Sequence, residues 1–450
     1  MNIIKKSIFI SISALIIFAC NSKSNVSQSN LESPEWSKNA VIYELNVRQF
    51  TPSGTFTEAE THLQRIKNLG VNIIWLMPVT PIGLESRKGS LGSYYSVKNY
   101  KEINPEFGTF EDFRKFVITA HNNGLKIIID WVANHTSRDA EWIKNKSWYI
   151  LDSTGSPVSP FDWSDVAKLN YSNDSMRNEM FNAMKFWIET ADVDGFRCDV
   201  AAEVPVDFWD NTTKKLRSIK SDIFFLAEAE KPELQINSFN SYYAWNLHHI
   251  MNQLAQGKAN SDTLRNYLAN VYNSFPKNTY PLNFTSNHDE NSWNGTEFER
   301  MGIYAKEMAA LTFMMPGIPM IYNGQEVGFN KRLDFFEKDT INWEGDYSFT
   351  ELYQKLSKLR KENIPLSKMY KGEFDIPVVQ NCKELFVIQY YKGKHSVAAF
   401  FNFTSDTLKF IVPNEIKSGR YFSIKDNSER LLKSKIQLML IPGDYNIYYK

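Results

Sequence analysis

Four segments of this sequence finish a short apolar run with acidic, arginine or imidazole side chains, which are groups that move protons or attack carbon. The segments occupy residues 126–135, 195–200, 224–228 and 284–289. Any one of them is also compatible with a capped strand or a structural ion pair. Four in one chain, in this order, are hard to assign to chance and predict a shared site.

The elements that position these side chains are predicted from the alternation along the chain. Short runs rich in β-branched and aromatic residues predict strands. They cover residues 40–47, 72–79, 126–132, 195–201, 223–229, 282–286 and 318–322, with residues 242–248 as the candidate for the sixth strand. Amphipathic stretches lie between them, so the pattern predicts an α/β fold with parallel strands and crossover helices. A closed eight-stranded barrel and an open doubly wound sheet both fit. No glycine-rich phosphate loop follows the first strand, which weakens the open dinucleotide-binding sheet.

Three of the amphipathic stretches show a clear helical pattern. Residues 57–69 have apolar side chains on one face and end before a glycine. Thr109 and Asp112 have the spacing of a capping box, and the apolar stripe that follows reaches Gly124, a suitable C-terminal glycine. Residues 176–191 place large apolar side chains at helical spacing. After about residue 371 the pattern changes to alternation with turn residues, which predicts a small antiparallel β domain.

Composition narrows the function classes. The chain has 450 residues, of which 43% are hydrophobic, and its 51 basic residues balance 51 acidic ones. A neutral chain lacks the basic surface that nucleic acid binding requires, so we expect no nucleic acid partner. Beyond the N-terminal segment only Cys198 and Cys382 remain, which excludes a disulfide framework and predicts a buried, inert thiol at Cys198.

The N-terminus reads as a targeting segment. Lys5 and Lys6 precede an apolar run of 13 residues, 7–19, which is too short to span a bilayer but suits a signal peptide. The run ends at Ala19-Cys20 and resembles the lipobox of bacterial lipoproteins, in which the cysteine is lipidated. An ordinary secretory signal with an incidental Cys20 is the alternative. We expect a signal peptide over residues 1–20 and a polar tether over 21–35.

The four polar segments, taken together, resemble the signature regions of the α-amylase family, glycoside hydrolase family 13. The family patterns are Asp-x-x-x-Asn-His, Gly-x-Arg-x-Asp, a Glu that closes the fifth strand, and Asn-His-Asp. The resemblance covers residues 39–343 and implies a (β/α)8 TIM barrel over residues 36–370, with a short excursion domain at 136–170 after the third strand. The C-terminal β domain would then occupy residues 371–450. In such barrels the active site lies at the C-terminal strand ends.

The resemblance also implies roles for the acidic residues. Asp199 would be the nucleophile, Glu228 the general acid and then the general base, and Asp289 a third carboxylate that binds sugar hydroxyls. Arg197 lies two residues before Asp199 and therefore on the same face of the strand, so its charge is expected to lower the pKa of Asp199. Leu226 and Ala227 predict an apolar setting for Glu228, and Glu230, on the same face, is the rival acid.

Further residues are implied to bind the substrate. His135 and His288 would donate hydrogen bonds to hydroxyls of the sugar at the cleavage point, and Tyr95 would stack under that sugar. Asp130 is expected to hold Arg197 or the strand end. Asn99 stands where the family usually has an aspartate, which removes one polar support near Tyr95.

The calcium site shared by many family members is degraded in this sequence. Asn134 is present, but Lys168 stands where the family has an aspartate and Glu203 where it has a histidine. A lysine ammonium repels Ca²⁺ and can take its place, so no cofactor is certain, and Asn134 would be a ligand only if the site survives. The same departures resemble the neopullulanase and cyclomaltodextrinase branch of the family.

The resemblance therefore implies a retaining hydrolase of α-1,4-glucosidic bonds in starch or maltooligosaccharides. The alternatives are a neopullulanase-like or transglycosylating α-glucan enzyme, and a non-catalytic glucan-binding lipoprotein. The intact set of Asp199, Glu228 and Asp289 argues against a pure binder. With Cys20 lipidated, the enzyme would lie in a bacterial cell envelope and meet the membrane only through its lipid anchor.

Overall fold

The computed structural model describes residues 29–366 and 373–450 of the chain. The predicted signal peptide, Cys20 and most of the predicted tether lie outside the described residues, as does the predicted domain boundary at 370/371. The strands within the described ranges are β1 Ile42–Leu45, β2 Ile73–Leu76, β3 Lys126–Trp131, β4 His135–Ser137, β5 Val166–Lys168, β6 Gly195–Cys198, β7 Phe224–Ala227, β8 Ser241–Tyr243, β9 Tyr280–Asn283, β10 Ile318–Tyr322, β11 Glu373–Asp375, β12 Phe386–Lys392, β13 His395–Phe401, β14 Leu408–Ile411, β15 Gly419–Ser423, β16 Glu429–Leu432, β17 Gln437–Leu440 and β18 Tyr445–Tyr449.

The α-helices in the same ranges lie between and after the barrel strands. They are α1 Val47–Phe50, α2 Phe56–Glu60, α3 Leu63–Asn68, α4 Phe110–Asn122, α5 Asp174–Ala191, α6 Val206–Ile219, α7 Trp245–Ala255, α8 Ser261–Ser274, α9 Glu297–Met301, α10 Ala305–Met314 and α11 Ser348–Glu362. Of these described helices, none combines the length and apolar character that a bilayer span requires.

Eight parallel strands close into a barrel in the order β1-β10-β9-β8-β7-β6-β3-β2. β1 pairs with β2 on one side and with β10 on the other, which closes the ring. The predicted barrel is confirmed and the open sheet is excluded. Alternate apolar residues of the strands fill the interior as one buried cluster, including Ile42, Trp75 and Leu226. The intervening residues form a second, larger cluster with the helices.

The helix signals are confirmed where the caps are strong. The Thr109 side chain accepts from the backbone of Asp112, and the Asp112 side chain accepts in return from the backbone of Thr109, which is a capping box at the start of α4. Gly124 follows that helix with a φ of 69°, a left-handed conformation that glycine adopts without strain. α5 buries Met180, Met184 and Trp187, as the helical spacing predicts.

Three predicted boundaries are wrong. The sixth strand ends at Tyr243, and α7 begins at Trp245, because the residues that follow bury apolar side chains at helical spacing. The strand predicted at 282–286 is instead Tyr280–Asn283. The helix predicted over 57–69 is split into α2 and α3, and the Thr61 hydroxyl donates to the Glu58 carbonyl at 2.7 Å where α2 ends.

Two additions complete the described fold. The excursion after β3 carries the antiparallel pair β4 and β5, which returns the chain towards α5. The C-terminal part forms an antiparallel sheet in the order β11-β12-β13-β18-β15-β16, with β14 and β17 as a separate pair. The predicted C-terminal β domain is therefore confirmed in type. Cys198 and Cys382 are free and buried, so the predicted burial of Cys198 is confirmed.

Candidate active site

The four polar segments meet at one cavity, at the C-terminal ends of the barrel strands. The cavity has a volume of about 400 Å³ and is lined by Lys88, Ser93, Tyr95, His135, Asp162, Trp163, Asp165, Val166, Asp199, Val200, Glu228, His288, Asp289, Trp293, Phe335 and Phe336. All three acidic residues predicted to be catalytic belong to this lining. So do three of the four predicted substrate-binding residues; the fourth, Arg197, lies beneath them in the barrel.

Arg197 joins the acidic residues of three adjacent strands. Its Nη1 lies 2.9 Å from Asp130 Oδ1 and 3.1 Å from Asp199 Oδ1, and its Nη2 forms an ion pair with Glu228 Oε1 at 3.0 Å. The guanidinium is fully buried, with the rings of Trp75 and Tyr243 about it. One fixed positive charge therefore sits among three carboxyl groups.

The pKa of Asp199 departs from the expectation. Burial raises the pKa of Asp199 well above its usual value, the neighbouring Glu228 carboxylate raises it further, and the Arg197 guanidinium offsets only part of this increase. Arg197 does favour the ionised form, as predicted from its position on the strand. The predicted net lowering is wrong because the sequence does not show how deeply Asp199 is buried or how close Glu228 lies.

Glu228 is held by polar partners. The backbone N–H of Val200 donates to its Oε2 at 2.7 Å, and Arg197 faces its Oε1. The apolar setting expected from Leu226 and Ala227 is wrong, since those side chains pack in the barrel wall and interior while the glutamate side chain turns to the neighbouring strand end. Glu230, the rival acid, accepts from the backbone N–H of Asn246 at 2.8 Å and does not line the cavity.

Asp289 and His288 form a second charged group on the cavity wall. His288 Nδ1 faces Glu44 Oε1 at 2.5 Å, and Nε2 lies 3.3 Å from Asp289 Oδ2. Burial acts to lower the pKa of His288, but the carboxylates of Asp289 and Glu44 outweigh it and raise the pKa well above its usual value. Burial likewise acts to raise the pKa of Asp289, and His288 reverses this to a net lowering. Both ring nitrogens of His288 thus have protein partners in this structure.

Tyr95 connects the two charged groups. Its hydroxyl donates to Asp130 Oδ2 at 3.0 Å and lies 2.8 Å from His288 Nε2, while its ring stacks on that of His288 at a centroid distance of 5.4 Å. The Tyr95 ring also lies near the ring of Phe335, at a centroid distance of 6.3 Å, and near the Arg197 guanidinium, at 5.7 Å. Burial raises the pKa of Asp130 to about 6, and Arg197 opposes the shift. The contact between Asp130 and Arg197 confirms the predicted structural partner.

His135 also lines the cavity, and it lies at the start of the excursion, in β4. Burial lowers the pKa of His135 to about 3, so its ring is neutral at ordinary pH. The Asn134 side chain donates towards His135 Nδ1 at 3.3 Å, which places the ring proton on Nε2. Asn99 makes a local contact, in which its side-chain oxygen accepts from the backbone N–H of Lys101.

The residues at the family's calcium position do not fit a cation. Lys168 Nζ forms an ion pair with Glu203 Oε2 at 3.5 Å, and Lys168 is the cross-strand partner of His135. Asn134 faces His135. Within residues 29–366 and 373–450, no group of three or more His, Cys, Asp or Glu side chains could hold a metal ion. At these positions an ammonium group stands beside a carboxylate, which does not suit a divalent cation, and no chemistry is assigned to calcium.

Several residues that line the cavity or lie beneath it escaped the sequence analysis. Glu44 is fully buried, and the sequence feature that could have identified it is a single charged residue inside the apolar run of β1. The aromatic wall residues Trp163, Phe335 and Phe336 lie on loops, and Trp293 lies in a π-helical turn, Glu290–Asn294; none of these segments has a recognisable pattern. The ion pair Lys88–Asp165, at 3.2 Å, joins two loops that are far apart in the chain, and nothing in the sequence pairs them.

Comparison with known proteins agrees with this geometry. A family model described as the α-amylase catalytic domain matches residues 38–163 and 145–345. α-Amylase MalA of Haloarcula japonica is 28% identical over 352 residues, covering 75% of this chain and 50% of that protein, so this chain spans half the length of that relative. α-Amylase 3 of Dictyoglomus thermophilum is 29% identical over 376 residues, covering 73% of this chain and 72% of that protein.

Solved structures of α-amylases match this protein over most of its chain. The crystal structure of an α-amylase from Lactobacillus plantarum superposes with a TM-score of 0.83 at 29% identity, covering 92% of this chain and 100% of that one. A maltogenic α-amylase from Thermotoga neapolitana also superposes with a TM-score of 0.83, at 28% identity, covering 92% and 99%. The family model matches more than half of the 450 residues, in the region that builds the cavity. The chain belongs to the α-amylase family of glycoside hydrolases.

Proposed function

We propose that this protein hydrolyses α-1,4-glucosidic bonds of starch or maltooligosaccharides with retention of the anomeric configuration. Asp199 attacks the anomeric carbon while Glu228 gives its proton to the glycosidic oxygen, so that the C–O bond breaks and the leaving sugar departs as an alcohol. Water then attacks the glycosyl–Asp199 ester, giving its proton to Glu228 and its hydroxyl to the anomeric carbon. Asp199 leaves as a carboxylate.

The observation that carries this proposal is the shared contact of Asp199 and Glu228 with one guanidinium. Neighbouring nitrogens of Arg197 hold one oxygen of each carboxyl group, at 3.1 and 3.0 Å. This arrangement suits the separation of about 5–5.5 Å that retaining glycosidases use, in which no water fits between nucleophile and sugar.

The rest of the cavity supports a sugar substrate. Asp289, kept ionised by His288, would accept hydrogen bonds from sugar hydroxyls. Tyr95 and the wall residues Trp163, Trp293 and Phe335 offer flat apolar surfaces against which pyranose rings can lie. That the substrate is an α-glucan rests on family membership and on the relatives that are named α-amylases.

Incubation of the full chain with maltoheptaose tests the proposal. We expect shorter maltooligosaccharides with the α configuration at the new reducing end. Sizing of the products measures their length, and NMR of the anomeric protons measures their configuration. Products longer than maltoheptaose would instead identify a transglycosylase that uses the same residues. Cleavage of cyclomaltodextrins or of α-1,6 bonds at comparable rates would favour the neopullulanase and cyclomaltodextrinase reading, which relatives named maltogenic α-amylase and cyclomaltodextrinase also suggest.

Substitution of the paired carboxyls tests the assignment of roles. Asp199→Asn and Glu228→Gln should each lower turnover of maltoheptaose by about 10⁴-fold or more, while the circular dichroism spectrum stays unchanged. Glu230→Gln is the matched control, because this nearby glutamate lies outside the cavity lining. The turnover of the Glu230→Gln variant should stay near that of the wild type. Wild-type rates in either of the first two variants would refute the assignment, and a wild type that binds maltoheptaose without cleaving it would identify a binding protein.

We further infer that the protein is a lipoprotein of a bacterial cell envelope, with Cys20 as the lipidated residue. The support is the apolar run of residues 7–19 and the small residue before Cys20. The full precursor, expressed in a bacterial host, should incorporate labelled palmitate and fractionate with membranes, whereas Cys20→Ser should do neither. A wild-type protein without label in the soluble fraction would contradict the inference.

A further inference from the structure

Val200 adopts a backbone conformation that its side chain disfavours. Its φ and ψ are 36° and 47°, in the left-handed region. Among the residues of the described ranges, six other than glycine have a positive φ, and Val200 is the β-branched one of that set. Such a residue is a genuine outlier, because its branched Cβ crowds the following carbonyl oxygen. A conformation of this kind costs stability and persists only where its surroundings impose it.

The surroundings of Val200 impose a sharp turn directly after the predicted nucleophile. The N–H of Asp199 still donates to the Trp131 carbonyl at 3.0 Å, as in the strand ladder. One residue later the chain leaves the barrel: Glu203 N donates to the Val200 carbonyl at 2.8 Å and the Trp209 indole donates to the Ala201 carbonyl at 3.0 Å. The ladder before the turn and the two bonds after it hold Val200 between them.

The result of this turn is the direction of one N–H group. The Val200 N–H donates to Glu228 Oε2 at 2.7 Å, across the gap between the ends of β6 and β7. The backbone of Glu228 is fixed in turn by its own N–H, which donates to the Cys198 carbonyl at 3.0 Å. Glu228 is therefore held at its backbone by the last residue of β6 and at its carboxyl group by the turn that follows β6, on the cavity wall.

We propose that the backbone N–H of Val200, aimed by its left-handed conformation, holds Glu228 in position to protonate the glycosidic oxygen. Val200 is thus a positioning residue whose contribution comes from its main chain. The turn is placed beside the nucleophile because one strand end then fixes both reacting carboxyls relative to each other. This inference rests on the proposed roles of Asp199 and Glu228.

The test removes that one N–H and keeps the side chain. Incorporation of the α-hydroxy analogue of valine at position 200 by nonsense suppression replaces the amide with an ester. Two substrates are compared by kcat/KM, which reports steps up to glycosyl transfer: maltotetraose, whose leaving sugar needs a proton, and α-maltosyl fluoride, whose leaving fluoride needs none. We expect kcat/KM to fall by about 100-fold for maltotetraose. For α-maltosyl fluoride we expect kcat/KM to change by no more than about twofold, which we count as no effect.

The matched control is the same ester at Val204. Val204 belongs to the same turn, and its N–H donates to the Ala201 carbonyl at 3.4 Å instead of to a catalytic group. In the Val204 ester, kcat/KM should change little, and by the same factor for both substrates. Equal losses on both substrates in the Val200 ester, or no loss on maltotetraose, would overturn the proposal. A wild type that cleaves neither substrate would instead refute the proposed function.

A second measurement needs no change at Val200 and so does not depend on the ester variant folding. In protein labelled with ¹⁵N-valine, the Val200 amide resonance should shift when Glu228 is replaced by Gln, because the group that accepts from the Val200 N–H changes from a carboxyl to an amide. The Val204 amide should not move. An unmoved Val200 resonance would overturn the proposal.

Discussion

At the scale of single residues, the site is a concentration of buried charge. Asp130, Asp199 and Glu228 share one guanidinium, and Glu44 and Asp289 share one imidazolium. In the first group carboxyls outnumber cations, so burial and mutual repulsion raise the pKa of Asp199. The surroundings of Asp199 thus favour the neutral form of its carboxyl group, and the ester that the proposed mechanism forms there would be neutral as well. The same imbalance lowers the stability of the folded protein.

Asp199→Asn should therefore raise the melting temperature at neutral pH. A group whose folded pKa is raised stabilises the fold below its unfolded pKa, and that contribution is lost as pH rises through the folded value. The amide has no charge to bury and can still accept from Arg197 Nη1. We expect a rise of about 2 °C at pH 7, shrinking towards zero near pH 4, in differential scanning calorimetry. A difference in melting temperature between Asp199→Asn and the wild type that grows as the pH falls would contradict this account.

At the scale of elements, the sequence predicts what depends on local pattern. Asp199 and Glu228 were placed correctly at strand ends because the runs of residues 195–198 and 224–227 end directly before them, and parallel strands in a barrel present those ends together. Asp289 reaches the same cavity, but it lies six residues after β9 ends at Asn283. The start of α7 was missed because the aromatic run Ser241–Tyr243 continues into Trp245 without a turn signal. The cavity walls were missed because loop contacts between distant segments leave no periodicity to read.

Two ion pairs join the excursion to the loop that follows β2, and the effects of removing the lysine of each pair can be compared. Lys88 Nζ lies 3.2 Å from Asp165 Oδ1, and Lys98 Nζ lies 3.4 Å from Asp139 Oδ2. The two lysine side chains are similarly exposed, at 34% and 38%. Only the first pair lines the cavity, where an ammonium with donors to spare can reach sugar hydroxyls.

Lys88→Ala should raise KM for maltoheptaose severalfold with little change in kcat, because the lost contact is made equally in the ground and transition states. Lys98→Ala should leave both constants near the wild-type values. The partly exposed Lys98–Asp139 pair contributes roughly 0–1 kcal/mol to stability. The Asp165 side chain is nearly buried, so Lys88→Ala should be the less stable of the two variants, and both should stay folded by circular dichroism. Equal effects of the two substitutions on KM would show that Lys88 acts only by joining the loops.

At the scale of the whole molecule, the barrel and the C-terminal sheet are one packed unit. The Tyr390 hydroxyl of β12 donates to the Met314 carbonyl at the end of α10, at 2.8 Å. Residues of β12, β13 and β18 belong to the same buried cluster as the barrel helices. Within this interface lies a carboxyl group, Glu307 of α10, that is fully buried and has no hydrogen-bond partner for either oxygen among the described residues.

Glu307 should make the junction of the two parts sensitive to pH. Burial raises the pKa of Glu307 well above its usual value, and the nearby backbone amide of Asn402 offsets only part of the shift. The neutral acid is therefore the form that the interface accommodates, and stability is lost as pH rises from about 4.3, the unfolded value, through the folded pKa. Glu307→Gln keeps the shape and removes the charge.

We expect Glu307→Gln to raise the melting temperature at pH 8 by about 2 °C or more and to match the wild type near pH 4. Glu362→Gln, at the exposed end of the neighbouring helix α11, is the control and should shift nothing at either pH. The readout is the difference in melting temperature between variant and wild type, followed from pH 4 to pH 8 with intrinsic tryptophan fluorescence. A difference that is constant across this range would mean that the gain comes from packing alone. A difference that falls as pH rises would show that Glu307 is ionised and stabilising in the folded interface, which is the opposite of what its burial dictates.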